Sequence, residues 1–251
     1  MTKTEITREL FESLNELNLT YVVASKYKNL PETIIGDIDI YVEDQDFDKA
    51  IEICKGLGLE KRQSLPKHIY LLKKVVRDPW TAFTTVFNSP RKIQHLIRNE
   101  QKRATGSEYS YHRNQKMVND ELMIDIRNNL AYKSLQDRTR IPVKSSVTNQ
   151  FFKRRRPYNG FYVPAPCDEL AHIISRQVFD KDGAFSHYYV NRCDELVETL
   201  RNDPEQNNQF RDLLCDIFYD TDKLIYDLII RRKYDVILSE LYRNRATDEI
   251  S

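Results

Sequence analysis

The segment Ile35-Gly36-Asp37-Ile38-Asp39-Ile40-Tyr41-Val42 sets two carboxylates one residue apart inside an apolar, β-branched run. Side chains alternate across a strand, so Ile38, Ile40 and Val42 take one face while Asp37 and Asp39 share the other. Their Cα atoms would then lie about 6.5–7 Å apart, close enough for the carboxyl groups to converge on one or two divalent cations. Two anions on one partly buried face repel unless a cation neutralises them. The competing reading is a strand that frays into solvent at Gly36, with Asp37 capping a turn and Asp39 exposed. The metal reading explains the pattern better.

Glu121-Leu122-Met123-Ile124-Asp125-Ile126-Arg127 reads as a second apolar strand with one acid in its middle. Asn119-Asp120 suits a two-residue hairpin turn, and residues 109–118 supply an antiparallel partner. If this strand neighbours the first, Asp125 faces Asp37 and Asp39. Three carboxylates are the minimum for a two-metal phosphoryl-transfer site, with ions about 3.5–4 Å apart. Asp125 near the second ion is also placed to take a proton from an attacking hydroxyl. Taken alone, Asp125 reads equally well as an ion-pair partner of Arg127 or a neighbouring lysine.

Upstream, Tyr21-Val22-Val23-Ala24-Ser25-Lys26 reads as a short strand ending in small residues, and eleven residues separate Ser25 from Asp37. With Leu30-Pro31-Glu32 and Gly36-Asp37-Ile38-Asp39-Ile40, this order resembles the nucleotidyltransferase superfamily of the polymerase-β-like fold. It looks most like the little-characterised bacterial and archaeal members of that superfamily. The resemblance spans roughly residues 20–130. It implies an α/β (α+β) core with a mixed sheet, and magnesium on Asp37, Asp39 and Asp125, with manganese as a substitute. It also implies that Ser25 meets the phosphates of a nucleoside triphosphate such as ATP, with Lys26 and Gly36 beside it. The glycine that precedes the serine in that family is Ala24 here, whose methyl group hinders a backbone that must approach phosphate closely.

The 251 residues carry 39 basic and 38 acidic side chains, so global charge gives no argument for nucleic acid. No long apolar run and no signal-peptide pattern is found, so the chain reads as cytoplasmic without a membrane span. Cys54, Cys167, Cys193 and Cys215 lack zinc or disulfide spacing and read as reduced, half-buried core thiols. Six glycines in the chain leave P-loop and dinucleotide-loop classes with little support.

Residues 4–18 predict a helix with Ile6, Leu10, Leu14 and Leu17 on one face and a Thr2/Glu5 capping box. Residues 46–54 predict another, with Phe47, Ala50, Ile51 and Cys54 inward and Gly56 and Gly58 stopping it. Strands follow at 68–76 and 80–87, then a basic helix from Ser89-Pro90 to residue 103. The catalytic domain is assigned to residues 1–139. Residues 140–166 read as a Pro-interrupted connector in which Lys153-Arg154-Arg155-Arg156 sits among aromatics. A solvated connector is favoured there over a clamp for triphosphate or an RNA backbone. Residues 167–251 predict a C-terminal helical bundle with four stripes: Leu170, Ile173, Ile174 and Val178; Tyr189, Cys193, Leu196, Val197 and Leu200; Phe210, Leu213, Leu214, Ile217 and Phe218; and residues 224–241.

Lys26 and Lys28 lie near Ser25 and are individually read as surface lysines. His68, His95, His112, His172 and His187 show no ligand spacing, and His172 and His187 read as structural rather than pocket-lining. The expected activity is transfer of a nucleoside monophosphate from a triphosphate to an unidentified hydroxyl acceptor, with Asp37, Asp39 and Asp125 catalytic. The alternatives are an Asp-x-Asp glycosyltransferase using a sugar nucleotide, and a non-catalytic interaction protein, which Ala24 favours.

Overall fold

Thr2 begins α1 (Lys3–Glu16): its hydroxyl accepts from the Glu5 amide, and the Glu5 carboxylate accepts from the Thr2 amide, the reciprocal cap expected of this pair. Ile6, Leu10, Phe11 and Leu14 are buried. Leu17 is not: the helix ends one residue earlier, Asn18 turns the chain at a φ of 52°, and Leu17 is left exposed. The computed structural model describes residues 1–62, 112–136 and 138–248. The expected strands at 68–76 and 80–87, the helix from Ser89 and the first residues of the 109–118 strand lie outside the described residues.

Among the described residues the main sheet has five strands, β1 (Tyr21–Val23), β2 (Ile38–Val42), β3 (Glu60–Lys61), β4 (Asn114–Val118) and β5 (Met123–Arg127), in the order β1-β2-β5-β4-β3. The β2–β5 pair is parallel and the others antiparallel, so the sheet is mixed and the described residues form an α+β fold. Strand β2 begins at Ile38 rather than Ile35. Gly36 adopts a φ of +81°, a conformation that breaks the extended run and leaves Ile35 in solvent. The β4–β5 connection is a four-residue loop, not a two-residue turn, because Val118 pairs with Met123. The Asn119 carboxamide oxygen closes it by accepting from the amides of Glu121 and Leu122.

One face of β2 carries Ile38, Ile40 and Val42 into a core shared with α1 and with α2 (Phe47–Gly56). Phe47, Ala50, Ile51 and Cys54 are buried on α2 as expected; Gly56 stays within the helix, and Gly58, at a φ of +78°, turns the chain after it. The opposite face carries Asp39 and Tyr41. The register sets Asp39 beside Asp125 and Tyr41 beside Arg127, and Lys116 of β4 lies across from Asp125. This second face meets the C-terminal helices, in whose core Val22, Ala24 and Tyr41 take part.

Residues 140–166 hold more regular structure than a connector. They contain β7 (Arg140–Pro142), paired with β6 (Ala131–Lys133), then α3 (Ser145–Lys153) and a hairpin of β8 (Arg156–Tyr158) and β9 (Phe161–Val163). Phe151 and Phe152 enter the helical core, while Phe161 and Val163 enter the sheet core. Prolines sit at strand positions and at the start of the next helix, where a missing N–H is harmless, so they do not interrupt these elements.

The C-terminal part comprises α4 (Pro166–Ser175), a π-turn at Arg176–Asp180, α5 (His187–Arg201), α6 (Pro204–Phe218), α7 (Asp222–Ile230) and α8 (Ile237–Asp248). The first three apolar stripes point inward largely as read, with Tyr189 and Ile217 partly buried. The fourth is two helices, not one: Arg232 has a φ of 58° and Tyr234 begins a 3-10 turn, which breaks the run between α7 and α8. Cys54, Cys167 and Cys193 are buried free thiols, and Cys215 is exposed, so it is not a core residue. No helix among the described residues is long and apolar enough to cross a membrane.

Candidate active site

The carboxylates of Asp37, Asp39 and Asp125 meet at one end of the β2–β5 pair, with an oxygen of each within 4.8 Å of the others. Parallel pairing accomplishes this. Asp39 and Asp125 are register partners on the same face, and Asp37 lies two residues before Asp39 at the mouth. Asp39 and Asp125 are buried, whereas Asp37 is half-buried.

Buried carboxylates need compensation. Asp39 Oδ2 accepts from Ser25 Oγ at 2.9 Å and from Arg176 Nη1 at 2.6 Å. Asp125 Oδ2 accepts from Arg127 Nη2, whose other terminal nitrogen donates to the Tyr41 hydroxyl at 3.0 Å. Arg127 Nη2 also lies 3.3 Å from Asp39 Oδ1, an ion-pair contact without hydrogen-bond geometry. Lys116 Nζ lies 3.7 Å from Asp37 and 3.8 Å from Asp125. Burial alone pushes the Asp39 carboxyl up. The guanidinia of Arg176 and Arg127, with hydrogen bonds from Arg176 and Ser25, outweigh it and hold Asp39 down at about 2.

Among the described residues no hydrogen bond reaches Asp125 Oδ1, and Asp39 Oδ1 has only the Arg127 contact at 3.3 Å, which lacks hydrogen-bond geometry. An orphaned acceptor on a buried anion is costly unless something positive meets it. With Asp37 beside them, they form the oxygen donor set that a hard divalent cation prefers. The donor set therefore fits magnesium or manganese.

The expected phosphate-binding residues are only partly disposed for that role. Ser25 is buried and donates to Asp39, so it orients the carboxylate. Ala24 is fully buried, and its amide donates to the Asp39 carbonyl at 3.0 Å, which ties this end of β1 to β2. Lys26 adopts a φ of 56° and its Nζ lies over Gly36, 3.6 Å from where a Cβ there would sit. Lys28 points elsewhere, to Glu195 on α5 at 2.5 Å. The basic run is occupied structurally: Arg154 makes a bidentate pair with Asp168 at 2.9 and 2.7 Å, and Arg155 lies over the Tyr162 ring.

Sequence reasoning missed Arg176 and the part Arg127 plays for both acids. From the sequence Arg127 reads only as an ordinary partner of Asp125; that ion pair is formed, and the same guanidinium also faces Asp39. Arg176 stands on the π-turn that continues α4, four residues after His172, and its guanidinium reaches Asp39 of the sheet. The only sequence signal was a helix with polar residues on a face that burial would force to find partners. Tyr189 on α5 is also half-buried near Ser25, Asp37 and Asp39, and burial pushes its hydroxyl up.

His172 is buried, its Nδ1 2.9 Å from the Tyr132 hydroxyl and its ring edge-on to Tyr41. Burial, assisted by Arg176 and Arg127, lowers it to about 3, so the ring is neutral at physiological pH and serves structure. His187 is exposed beside Asn191 and His112 pairs with Asn129; His68 and His95 lie outside the described residues. Below about pH 6.5 the unfolded histidine binds a proton that the folded one refuses until about pH 3. Acidification therefore favours unfolding through that window, by up to about 1.4 kcal/mol per pH unit. A His172→Gln variant is expected to show a stability slope between pH 6 and 4 shallower by about 1 kcal/mol per unit in urea unfolding. Parallel slopes for the two proteins would contradict a neutral buried ring.

No protein-family model, curated protein or solved structure matches this chain.

Proposed function

We propose that the protein is a metal-dependent nucleotidyltransferase that moves a nucleoside monophosphate from a triphosphate to a hydroxyl acceptor. The observation that carries this reading is the meeting of Asp39 and Asp125, on two paired strands and each with a buried oxygen that accepts no hydrogen bond among the described residues, with Asp37 just before the first strand. Asp37, Asp39 and Asp125 would hold magnesium, which supplies charge neutralisation for the phosphates and acidifies an attacking hydroxyl. The protein's own part is mostly positioning. Ser25 and Arg176 fix the Asp39 carboxylate, and Arg127 fixes Asp125. Because Arg127 holds Asp125 Oδ2, the unpartnered Oδ1 is the donor atom Asp125 would offer the ion. Lys116 and Lys26, half-buried at the mouth, supply cations for phosphate oxygens.

A non-catalytic protein on the same scaffold is the second reading. It is favoured by Ala24 and by the guanidinia that already neutralise the acids. The glycosyltransferase alternative has less support, because residues 1–36 contribute only α1 and the three-residue β1. Thermal unfolding with each nucleoside triphosphate, with and without magnesium, separates the first two readings. A ligand at a hundredfold excess over its dissociation constant stabilises the native state by about 2.7 kcal/mol, a rise of roughly 5–10 °C for a chain of this size. The expected result is a rise that needs magnesium and disappears in Asp37→Asn. No rise with any triphosphate would favour the non-catalytic reading.

A further inference from the structure

Each carboxylate oxygen has two lone pairs, and the way they are used here limits how many cations the crevice can take. Both lone pairs of Asp39 Oδ2 are engaged, by Ser25 Oγ and Arg176 Nη1. Asp125 Oδ2 is held by Arg127 Nη2. A two-ion site on these acids needs bridging, with one ion on each side of a shared carboxylate, and the Oδ2 side is closed. The two guanidiniums have little room to leave: the side chains of Arg127 and Arg176 are 9% and 14% exposed. Arg127 is pinned by Tyr41 as well, and Arg176 stands on the π-turn that continues α4, a helix buried from Cys167 to Ser175. The three carboxylates already face two guanidiniums and the Lys116 ammonium. One further divalent ion makes the crevice attractive to a polyanion, and a second would crowd cations at short range.

We propose that this crevice takes a single divalent cation, on Asp37, Asp125 Oδ1 and the Asp39 Oδ1 that Arg127 Nη2 approaches at 3.3 Å without a hydrogen bond, and that Arg176 on Asp39 Oδ2 and Arg127 on Asp125 Oδ2 permanently occupy the positions a second ion would need. The inference rests on the metal half of the reading above and is independent of which nucleotide binds. It makes Arg127 and Arg176 positioning residues that supply fixed positive charge, and it departs from the two-ion arrangement expected from the sequence.

The test is a count of bound manganese on the full chain, from the electron paramagnetic resonance signal of free Mn2+ during titration, with and without a non-hydrolysable ATP analogue. One ion per chain is expected in both conditions. Arg176→Ala opens Asp39 Oδ2 and is expected to raise the count to two, while Arg176→Lys keeps a cation there and leaves it at one. Two ions on the wild-type chain, or a count unchanged by Arg176→Ala in a folded variant, would overturn the inference. Should Arg176→Ala not fold, the wild-type and Arg176→Lys counts decide. No bound ion would overturn the inference and the metal half of the proposed function together. One ion without any triphosphate-dependent stabilisation leaves the inference standing and removes only the nucleotide half.

Discussion

Replacing Glu169 by alanine is expected to cost the fold about 3–5 kcal/mol, because it strands a buried guanidinium. Glu169 is 3% exposed and accepts from Arg192 through both oxygens, at 2.7 and 2.6 Å, and from the Tyr27 hydroxyl at 2.6 Å. Arg192 also donates to Tyr27 and to Glu195. The cluster ties the chain after β1 to α4 and α5, so its loss removes the support behind Ser25 as well as an ion pair. Burial pushes the Tyr27 hydroxyl up, and Glu169 beside it adds to the rise, so Tyr27 remains a donor and cannot substitute as an anion. Against a total of roughly 5–15 kcal/mol for a domain, this is a large fraction. Urea unfolding of Glu169→Ala, Arg192→Ala and the double variant measures it. The double variant is expected to cost clearly less than the sum, because the second truncation removes the guanidinium that the first left with only the half-exposed Glu195 as an anionic partner. A loss below about 1 kcal/mol for Glu169→Ala would mean that water replaces the carboxylate without difficulty.

Asp37→Asn is expected to reduce nucleotidyl transfer by about a thousandfold or more, near 4 kcal/mol of transition-state stabilisation, while changing stability by less than about 0.5 kcal/mol. Asp37 is the clean position for this test. Its side chain is 31% exposed, and its nearest cation, Lys116, lies 3.7 Å away, so neutralising it leaves no buried charge alone. Asp39→Ala would confuse two effects. It removes a proposed metal ligand and also strips Arg176 and Arg127 of their anion in a buried crevice, with a stability penalty of about 3–5 kcal/mol. The comparison is made by following transfer from an α-labelled triphosphate and by urea unfolding of the same preparations. Full transfer by Asp37→Asn would exclude it as a ligand, and a large stability loss would mean that it serves the fold.

Local and periodic features carried most of what was legible beforehand. The Thr2/Glu5 cap, the inward face of α2 and the first three helical stripes depend on neighbours within a turn or two, and they appear where the spacing put them. Asp125 joining Asp37 and Asp39 was also readable, since two apolar strands each carrying inward acids have few ways to pair. Chain breaks were less legible. Gly36, Asn18 and Arg232 each adopt positive φ, and two of these three residues carry no turn signal as plain as glycine's. Residues 140–166 read as a connector because prolines punctuate them and a basic run sits in their middle, yet Phe151, Phe161 and Arg154 have partners outside this stretch that hold α3 and the β8–β9 hairpin in place.

From the sequence alone follow the alternation that puts Asp39 on the face opposite Ile38, Ile40 and Val42, and the presence of a third acid on a strand able to pair beside it. Those are properties of a period-two chain and need no knowledge of what lies above the sheet. Asp37, by contrast, precedes the strand and reaches the site from its mouth. Only the tertiary structure decided that α4 lies over that face, bringing Arg176 to Asp39 from 137 positions away, and that Arg127 serves both buried acids. The reason is electrostatic. Whether a buried carboxylate is neutralised by a guanidinium or left open to a cation depends on distances of a few ångströms between elements remote in sequence, and no local pattern encodes them.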